Sequence, residues 1–427
     1  MKITILALGT RGDLQPYLSL GLGLRQAGHQ VKLCSSDIFE DFARSRGLDF
    51  AAIGDSPKAI LEKFTKNPIN SQRKQSKLLN LYLVKKFFFW RILNSGLKKL
   101  MNDAWDCCQD AEVIIYSQLA FSGFNIAEKL NIPCLATYTN PLTPTHIYPH
   151  PLYPNSNLGG IYNWFTYIFE EQFRWQIVRQ KINLWREEKK LAPITFNGIF
   201  SQQRKQKIPV LHCYSPNVLA KPSDWSDFAH VTGYWFLDRS PEWQPSEELL
   251  NFLAAGAPPV YVGFGSMLDR NPKSLTKLVL DALAASKQRG ILLGGWGALS
   301  NSDLPDNVLK IDSIPHDWLF PKVAAVVHHG GAGTTAAGFR AGVPSIVVPF
   351  AADQPFWGRR VPELGVGTKP IPRKKLTVEN LSTAINTVIS DETMKARCRS
   401  LGEKIRSENG VAQAVEIIDR YLLSQKT

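Results

Sequence analysis

Cysteine is scarce, with six residues in 427, and only Cys107 and Cys108 stand close together. No spacing among Cys34, Cys107, Cys108, Cys134, Cys213 and Cys398 matches a zinc set or a disulfide framework, which points to free thiols in a reducing compartment. Long apolar runs are also missing. The most apolar stretch, residues 78–93, is broken by Lys85, Lys86 and Arg91 and does not qualify as a membrane span. Met1-Lys2 leads directly into ITILALG, which is too short and too soon followed by Arg11 and Asp13 for a secretory leader. The expected location is the cytoplasm. The 30 glycines and 27 prolines follow no period, which excludes collagen-like, low-complexity and solenoid chains. No acidic cluster of the DxD kind is present, so no metal is implied.

What is present is ordinary globular material, 44% hydrophobic and 20% charged, which excludes intrinsic disorder. At about 100–200 residues per domain, the length implies two or three domains. The net charge of +13 is concentrated. Residues 58–99 hold eleven Lys/Arg against Glu62, and residues 174–207 hold nine against Glu187 and Glu188, so the remainder of the chain is net acidic. Large apolar side chains share these regions, from Leu78 to Trp105 and from Ile161 to Trp175. Two readings stay open: core helices with basic outer faces, or an apolar pocket whose rim rests on anionic lipid, each basic residue contributing about 1 kcal/mol. No nucleic-acid-binding motif accompanies the charge.

Along the chain, KITILALG, HQVKLCSS, DFAAIG, EVIIYS and PCLATYT read as short buried strands, and LQPYLSLGLGLRQAG reads as a helix ending near Gly28. Near Val231 the pattern restarts, with PPVYVGFGS, GILLGG, NVLKI, AAVVHHGG and PSIVVPF. Apolar strands alternating with helices imply parallel sheets covered on both faces. The expected architecture is α/β, with two Rossmann-like doubly wound domains facing a cleft.

Three motifs carry chemistry. His328-His329-Gly330-Gly331-Ala332-Gly333-Thr334-Thr335 follows the strand AAVV, and a glycine turn opening a helix offers unpaired N–H groups to a phosphate. Gly331-Ala-Gly333-Thr-Thr-Ala336, with Asp353 about twenty residues on, also matches a dinucleotide fingerprint. It lies deep in the second half rather than at a first strand, and Asp353-Gln354 suits the hydroxyls of a hexose; NAD binding stays as an alternative. Gly9-Thr10-Arg11-Gly12-Asp13 closes the first strand, where Asp13 either stabilises a helix N-terminus or accepts a proton from a bound hydroxyl. Gly263-Phe-Gly265-Ser266 ends the first strand of the second half, where a small residue and a hydroxyl suit close approach of a phosphate.

GTRGDLQPYLSLGLGL, TGYWFLD at 232–238, PHDWLFP at 315–321 and HHGGAGTTAAGFRAGVPSIVVPFAADQPFW at 328–357 together resemble the sterol 3-beta-glucosyltransferase branch of the UDP-glycosyltransferase superfamily, with bacterial antibiotic glycosyltransferases as relatives. The resemblance implies a GT-B fold with an acceptor-binding domain over 1–232, a nucleotide-sugar domain over 233–405, and a final helix, 406–427, packing back on the first domain. It implies Asp13 as catalytic base. Donor contacts are implied from Thr10, Arg11, Ser266, His329, Gly331, Gly333 and Thr334, with Asp353 and Gln354 on the sugar. A tryptophan that stacks on uracil in plant relatives falls at Ser313, so base recognition is expected from backbone groups near Ile314; Trp318 and Trp296 are read as core residues. The implied activity is inverting transfer of glucose from UDP-glucose to a hydroxyl of a sterol or other lipid, without cofactor or metal. A polyketide or peptide acceptor, and a non-catalytic membrane-binding module, are the alternatives. The implied partners are a UDP-sugar and a hydrophobic acceptor; peripheral contact with anionic membrane through 58–99 and 174–207 stays one of the two readings of the charge, and no nucleic acid is expected.

Overall fold

A computed structural model describes residues 1–55, 96–153, 158–265, 267, 269, 271–294 and 304–425. The chain divides into two compact units. The first comprises Met1–Cys213, Lys221–Trp235 and Gly410–Thr427, and the second Tyr214–Ala220 and Phe236–Asn409.

The first unit is built on β1 (Lys2–Leu6), β2 (Gln30–Ser35), β3 (Asp49–Ala52), β4 (Val113–Ser117), β5 (Cys134–Tyr138), β6 (Val210–His212) and β7 (Ala229–Val231). They form one sheet in the order β3-β2-β1-β4-β5-β6-β7, with every pairing parallel. All residues of β4 and β5 are buried, as expected for a parallel sheet covered by helices. The order runs outward from β1 and β4 in opposite directions. The carboxyl ends of these two strands are therefore the topological switch point, where open α/β sheets hold ligands. The strands β6 and β7 have three residues each and extend the sheet beyond the five strands read from the sequence.

The helices of this unit are α1 (Arg11–Gln26), α2 (Glu40–Arg44), α3 (Leu97–Cys107), α4 (Ser122–Leu130), α5 (Gly160–Glu188), α6 (Gly198–Lys205) and, at the end of the chain, α14 (Gly410–Ser424). Helix α14 packs on α1: a Cβ on Gly23 would run into Val411, and His29 Nε2 lies 2.9 Å from Asp419 Oδ1. In α5 one face buries Tyr167, Trp175, Val178, Ile182 and Trp185, while Ile161, Trp164, Phe165 and Phe169 are exposed. The aromatic run from Ile161 to Trp175 is thus part core and part surface. Apolar residues on both faces explain why its sequence carries no clear helical stripe.

Much of the basic charge in 174–207 is engaged within this unit. Arg174 pairs with Glu170 at 2.8 Å and Arg204 with both oxygens of Glu171 at 2.5 and 2.8 Å. Lys189 lies over Trp105 and Lys207 over Phe228. Arg186 is buried, donating to Ala192 O, Asn125 Oδ1 and both oxygens of Glu128 at 2.7–2.9 Å. In 58–99, Lys98 pairs with Glu188 and Lys99 with Asp103; residues 58–95 lie outside the described residues. No described helix is long and apolar enough to cross a membrane. The six cysteines are all free and buried.

The second unit holds β8 (Val260–Gly263), β9 (Gly290–Leu293), β10 (Val308–Ile311), β11 (Ala325–His328) and β12 (Ser345–Val347) in the order β10-β9-β8-β11-β12, again all parallel. Its helices are α7 (Glu247–Ala254), α8 (Pro272–Ala285), α9 (His316–Leu319), α10 (Ala332–Ala341), α11 (Gln354–Glu363), α12 (Val378–Ser390) and α13 (Glu392–Ser407). The switch point falls between β8 and β11, where His328 is in register with Gly263. Each unit is therefore a Rossmann-like α/β layer structure, the fold class that the alternating strands and helices predict.

Candidate active site

Within the first unit, the chain leaves β1 through Gly9 and turns at once into α1. Gly9 adopts φ +139, and a Cβ there would lie 2.6 Å from both Cβ and Cγ of Asp13. The Asp13 side chain folds back over the backbone of this glycine. Its Oδ2 accepts from the Thr10 backbone N–H at 2.8 Å and from Thr10 Oγ1 at 2.9 Å. This is the return half of a capping box, so the helix-stabilising role open in the sequence is real. It uses only one carboxylate oxygen, since Oδ1 takes no hydrogen bond among the described residues. Burial pushes the Asp13 carboxyl above its ordinary value, against the lowering effect of both Thr10 bonds.

Arg11 lies beside this turn with its guanidinium carbon 4.8 Å from the centre of the Phe42 ring. Burial and the like charge of Arg46 hold it below the ordinary arginine value. One turn along α1, the buried Tyr17 donates to Thr137 O at 3.0 Å, tying the helix to the end of β5. Ser117, at the end of β4, accepts from Leu8 N at 3.2 Å and joins the two switch-point strands.

Gly9→Ala tests this packing. A non-glycine residue held in positive-φ backbone costs about 1–2 kcal/mol, before the clash with Asp13 is counted. The expected result is a lower unfolding temperature, read by calorimetry.

Within the second unit, β11 runs into the glycine turn and α10, with Gly331 as the N-cap in extended backbone and no side-chain cap. The first N–H groups of α10 are consequently left for a ligand. Gly331, Gly333 and Thr334 lie at this opening and retain exposure, whereas Thr335 is buried and donates to Gly331 O at 2.9 Å. His328 is buried, and its Nδ1 accepts from Gly330 N at 3.1 Å, which puts its proton on Nε2. The His329 ring packs against Gly265 and Gly331, and its buried Nδ1 has no partner among the described residues. Burial lowers His328 to about 3 and His329 to about 4. Both rings are neutral at pH 7.

Asp353 is the N-cap residue of α11, and its carbonyl accepts from Phe356 N and Trp357 N. Gln354 is buried, with Oε1 accepting from Phe350 N at 2.7 Å and Ala351 N at 3.0 Å. Ser313 is exposed and Ile314 half-buried in the loop between β10 and α9. Trp318 packs on Trp243 with ring centres 5.3 Å apart and has Lys322 over its face. Ser266 and Trp296 lie outside the described residues.

The donor-side motifs thus gather at the carboxyl ends of β8, β11 and β12, and the Asp13 motif gathers at the end of β1. Sequence reading missed the supporting roles of Gly9, Ser117 and Tyr17. Gly9 alone left a signal, as the glycine heading its motif.

Comparison with known proteins shows the family and the fold. Residues 3–149 match the glycosyltransferase family 28 N-terminal domain, and residues 280–420 match the erythromycin biosynthesis protein CIII-like C-terminal domain. A sterol 3-beta-glucosyltransferase of Arabidopsis thaliana is 39% identical over 99% of this chain and 68% of its own length. One from Emericella nidulans is also 39% identical over 99% of this chain, which spans only 30% of that longer protein. The crystal structure of the glycotransferase of kitacinnamycin superposes with a TM-score of 0.73, at 18% identity, covering 99% of both chains, and so shares the fold. The chain belongs to the sterol 3-beta-glucosyltransferase branch of the UDP-glycosyltransferase superfamily, and is a glycosyltransferase of the GT-B fold.

Proposed function

We propose that this protein transfers glucose from UDP-glucose to a hydroxyl of a sterol or similar lipid, with inversion at the anomeric carbon. Similarity to a sterol 3-beta-glucosyltransferase along 99% of this chain carries the choice of substrates. The geometry at Asp13 supports the chemistry. A carboxylate anchored through one oxygen has the other available to accept the acceptor proton as that hydroxyl attacks. In this reading the acceptor occupies the first unit and the nucleotide sugar the second.

Negative charge grows on the departing diphosphate, and the N–H groups opening α10 at Gly331, Gly333 and Thr334 stabilise it without reorganising. A neutral His329 donates to the same group without adding charge, and Thr10 and Arg11 keep the donor-contacting role that the resemblance implies. Asp353 and the Gln354 amide meet the sugar hydroxyls, Ser266 a phosphate, and the backbone at Ser313 and Ile314 the base. The helix terminus supplies the electrostatic stabilisation in this scheme, which calls on no metal or cofactor.

Turnover of UDP-glucose against a panel of sterols, other lipids and polyketide aglycones, read by mass spectrometry, tests the proposal. Sterol glucoside formation is the expected result. Transfer only to polyketides or peptides would replace the acceptor, and UDP-glucose binding without transfer to any member would sink the catalytic reading.

Peripheral contact with anionic membrane belongs to the same proposal, in the cytoplasm. The internal pairing of Arg174, Arg186 and Arg204 leaves residues 58–95, outside the described residues, to carry most of it. Neutralising Lys85, Lys86 and Arg91 is expected to weaken binding to anionic liposomes by roughly 1 kcal/mol per charge while leaving UDP affinity intact. Unchanged flotation with liposomes would return those residues to an ordinary solvated surface.

A further inference from the structure

Gln354 makes hydrogen bonds that a residue devoted to the sugar does not need. Both lone pairs of its carboxamide oxygen are taken, by Phe350 N at 2.7 Å and Ala351 N at 3.0 Å. Its amide nitrogen lies 3.1 Å from Met267 Sδ, in the loop after β8. Its backbone lies against the glycine turn after β11: a Cβ on Gly330, at φ +89, would meet Gln354 O at 3.0 Å and Gln354 Cβ at 3.5 Å. One buried side chain, 4% exposed, therefore touches the loops that leave β8 and β12, while its backbone meets the turn that leaves β11. Next to the two N–H groups it holds, Ala352 adopts φ +56, a left-handed conformation that an L-residue with a Cβ resists.

We propose that Gln354 is a positioning residue whose carboxamide oxygen clamps the 350–353 loop, holding Ala352 in its left-handed turn and Asp353 in place beside the glycine turn. The proposal rests on the donor-binding reading above and changes one part of it. A sugar hydroxyl donating to Oε1 would have to displace a backbone N–H and leave that donor unpaired in a buried site. Only the amide nitrogen of Gln354 is left to face the sugar. Specificity toward the hexose then falls on Asp353, whose position depends on the clamp.

Hydrogen exchange and kinetics on the full chain test this. In the wild type, the amides of Phe350 and Ala351 are expected to exchange slowly. Gln354→Leu should speed their exchange by about tenfold or more and raise KM for UDP-glucose more than it lowers affinity for UDP itself. Adding Ala352→Gly to Gln354→Leu should recover about threefold in kcat/KM, because glycine takes positive φ without the clamp. If Gln354 served only by touching the sugar, a glycine two residues away would restore nothing. Rapid exchange at both amides in the wild type, unaltered exchange in Gln354→Leu, or a double variant no better than the single one would each overturn the proposal. The wild-type measurement decides even if Gln354→Leu fails to fold. Failure of the wild type to use UDP-glucose would overturn the donor assignment instead, and the exchange comparison would still judge the clamp.

Discussion

Asp13→Asn is expected to lower kcat by about 10²–10⁴-fold, the usual worth of a general base, and to leave UDP affinity unchanged. Asparagine keeps an oxygen in the place of Oδ2, so both Thr10 hydrogen bonds survive, and the isosteric side chain still folds over Gly9. What disappears is the proton acceptor. The pH dependence follows from the same geometry. The base works ionised, and burial raises its pKa above the ordinary aspartate value, so activity should fail as pH drops through that raised value. The acid limb of kcat/KM should sit correspondingly high and vanish in the variant.

The stability effect has the opposite sign. A raised folded-state pKa means that the native state holds a proton the unfolded chain has already released. The contribution of Asp13 to stability therefore falls as pH rises from the unfolded value through the folded one. At neutral pH the ionised carboxylate is a burden on the fold, and Asp13→Asn should unfold at the same temperature as wild type or higher. Loss of activity together with loss of folding would remove Asp13 from the role of base.

Arg186→Leu carries the other large effect, on stability alone. It leaves Asn125 Oδ1 and Ala192 O without their donor and the partly exposed Glu128 without its counter-charge, and leaving such buried acceptors unpaired costs about 1–3 kcal/mol. Denaturant unfolding should show the loss as a lower midpoint. Lys277→Ala is the control: its pair with Asp281 is exposed on one helix face, and such pairs are worth about 0.3–0.5 kcal/mol. Arg186 lies in the last turn of α5, whose first half exposes Ile161, Trp164 and Phe165. Equal losses in the two variants would mean that Arg186 is no more than another surface pair.

Most of the strands were legible because parallel strands buried on both faces are continuous apolar runs, as in EVIIYS and PCLATYT. β6 and β7 were not, since three residues carry too little pattern to stand out from a loop. The glycine turn and the turn at Asp13 could be read because each is local: a strand end, a glycine and a helix start are written within about eight residues. Helix α5 resisted because its apolar residues lie on two faces, and only packing separates Tyr167 and Trp175 in the core from Phe165 and Phe169 at the surface.

Taken alone, the amino-acid sequence determined the fold class, the family, and the two glycine-headed turns after β1 and β11, because each rests on neighbours in the chain. Tertiary structure decided what those residues do with their remaining valences. It is folding that lays Asp13 over Gly9 and bonds it to Thr10 through one oxygen, spends both lone pairs of Gln354 on a loop, and buries Arg186 among partners about sixty residues away. Hydrogen-bond capacity is fixed by residue type, but which part of it is left for a substrate depends on what the fold brings within three ångströms.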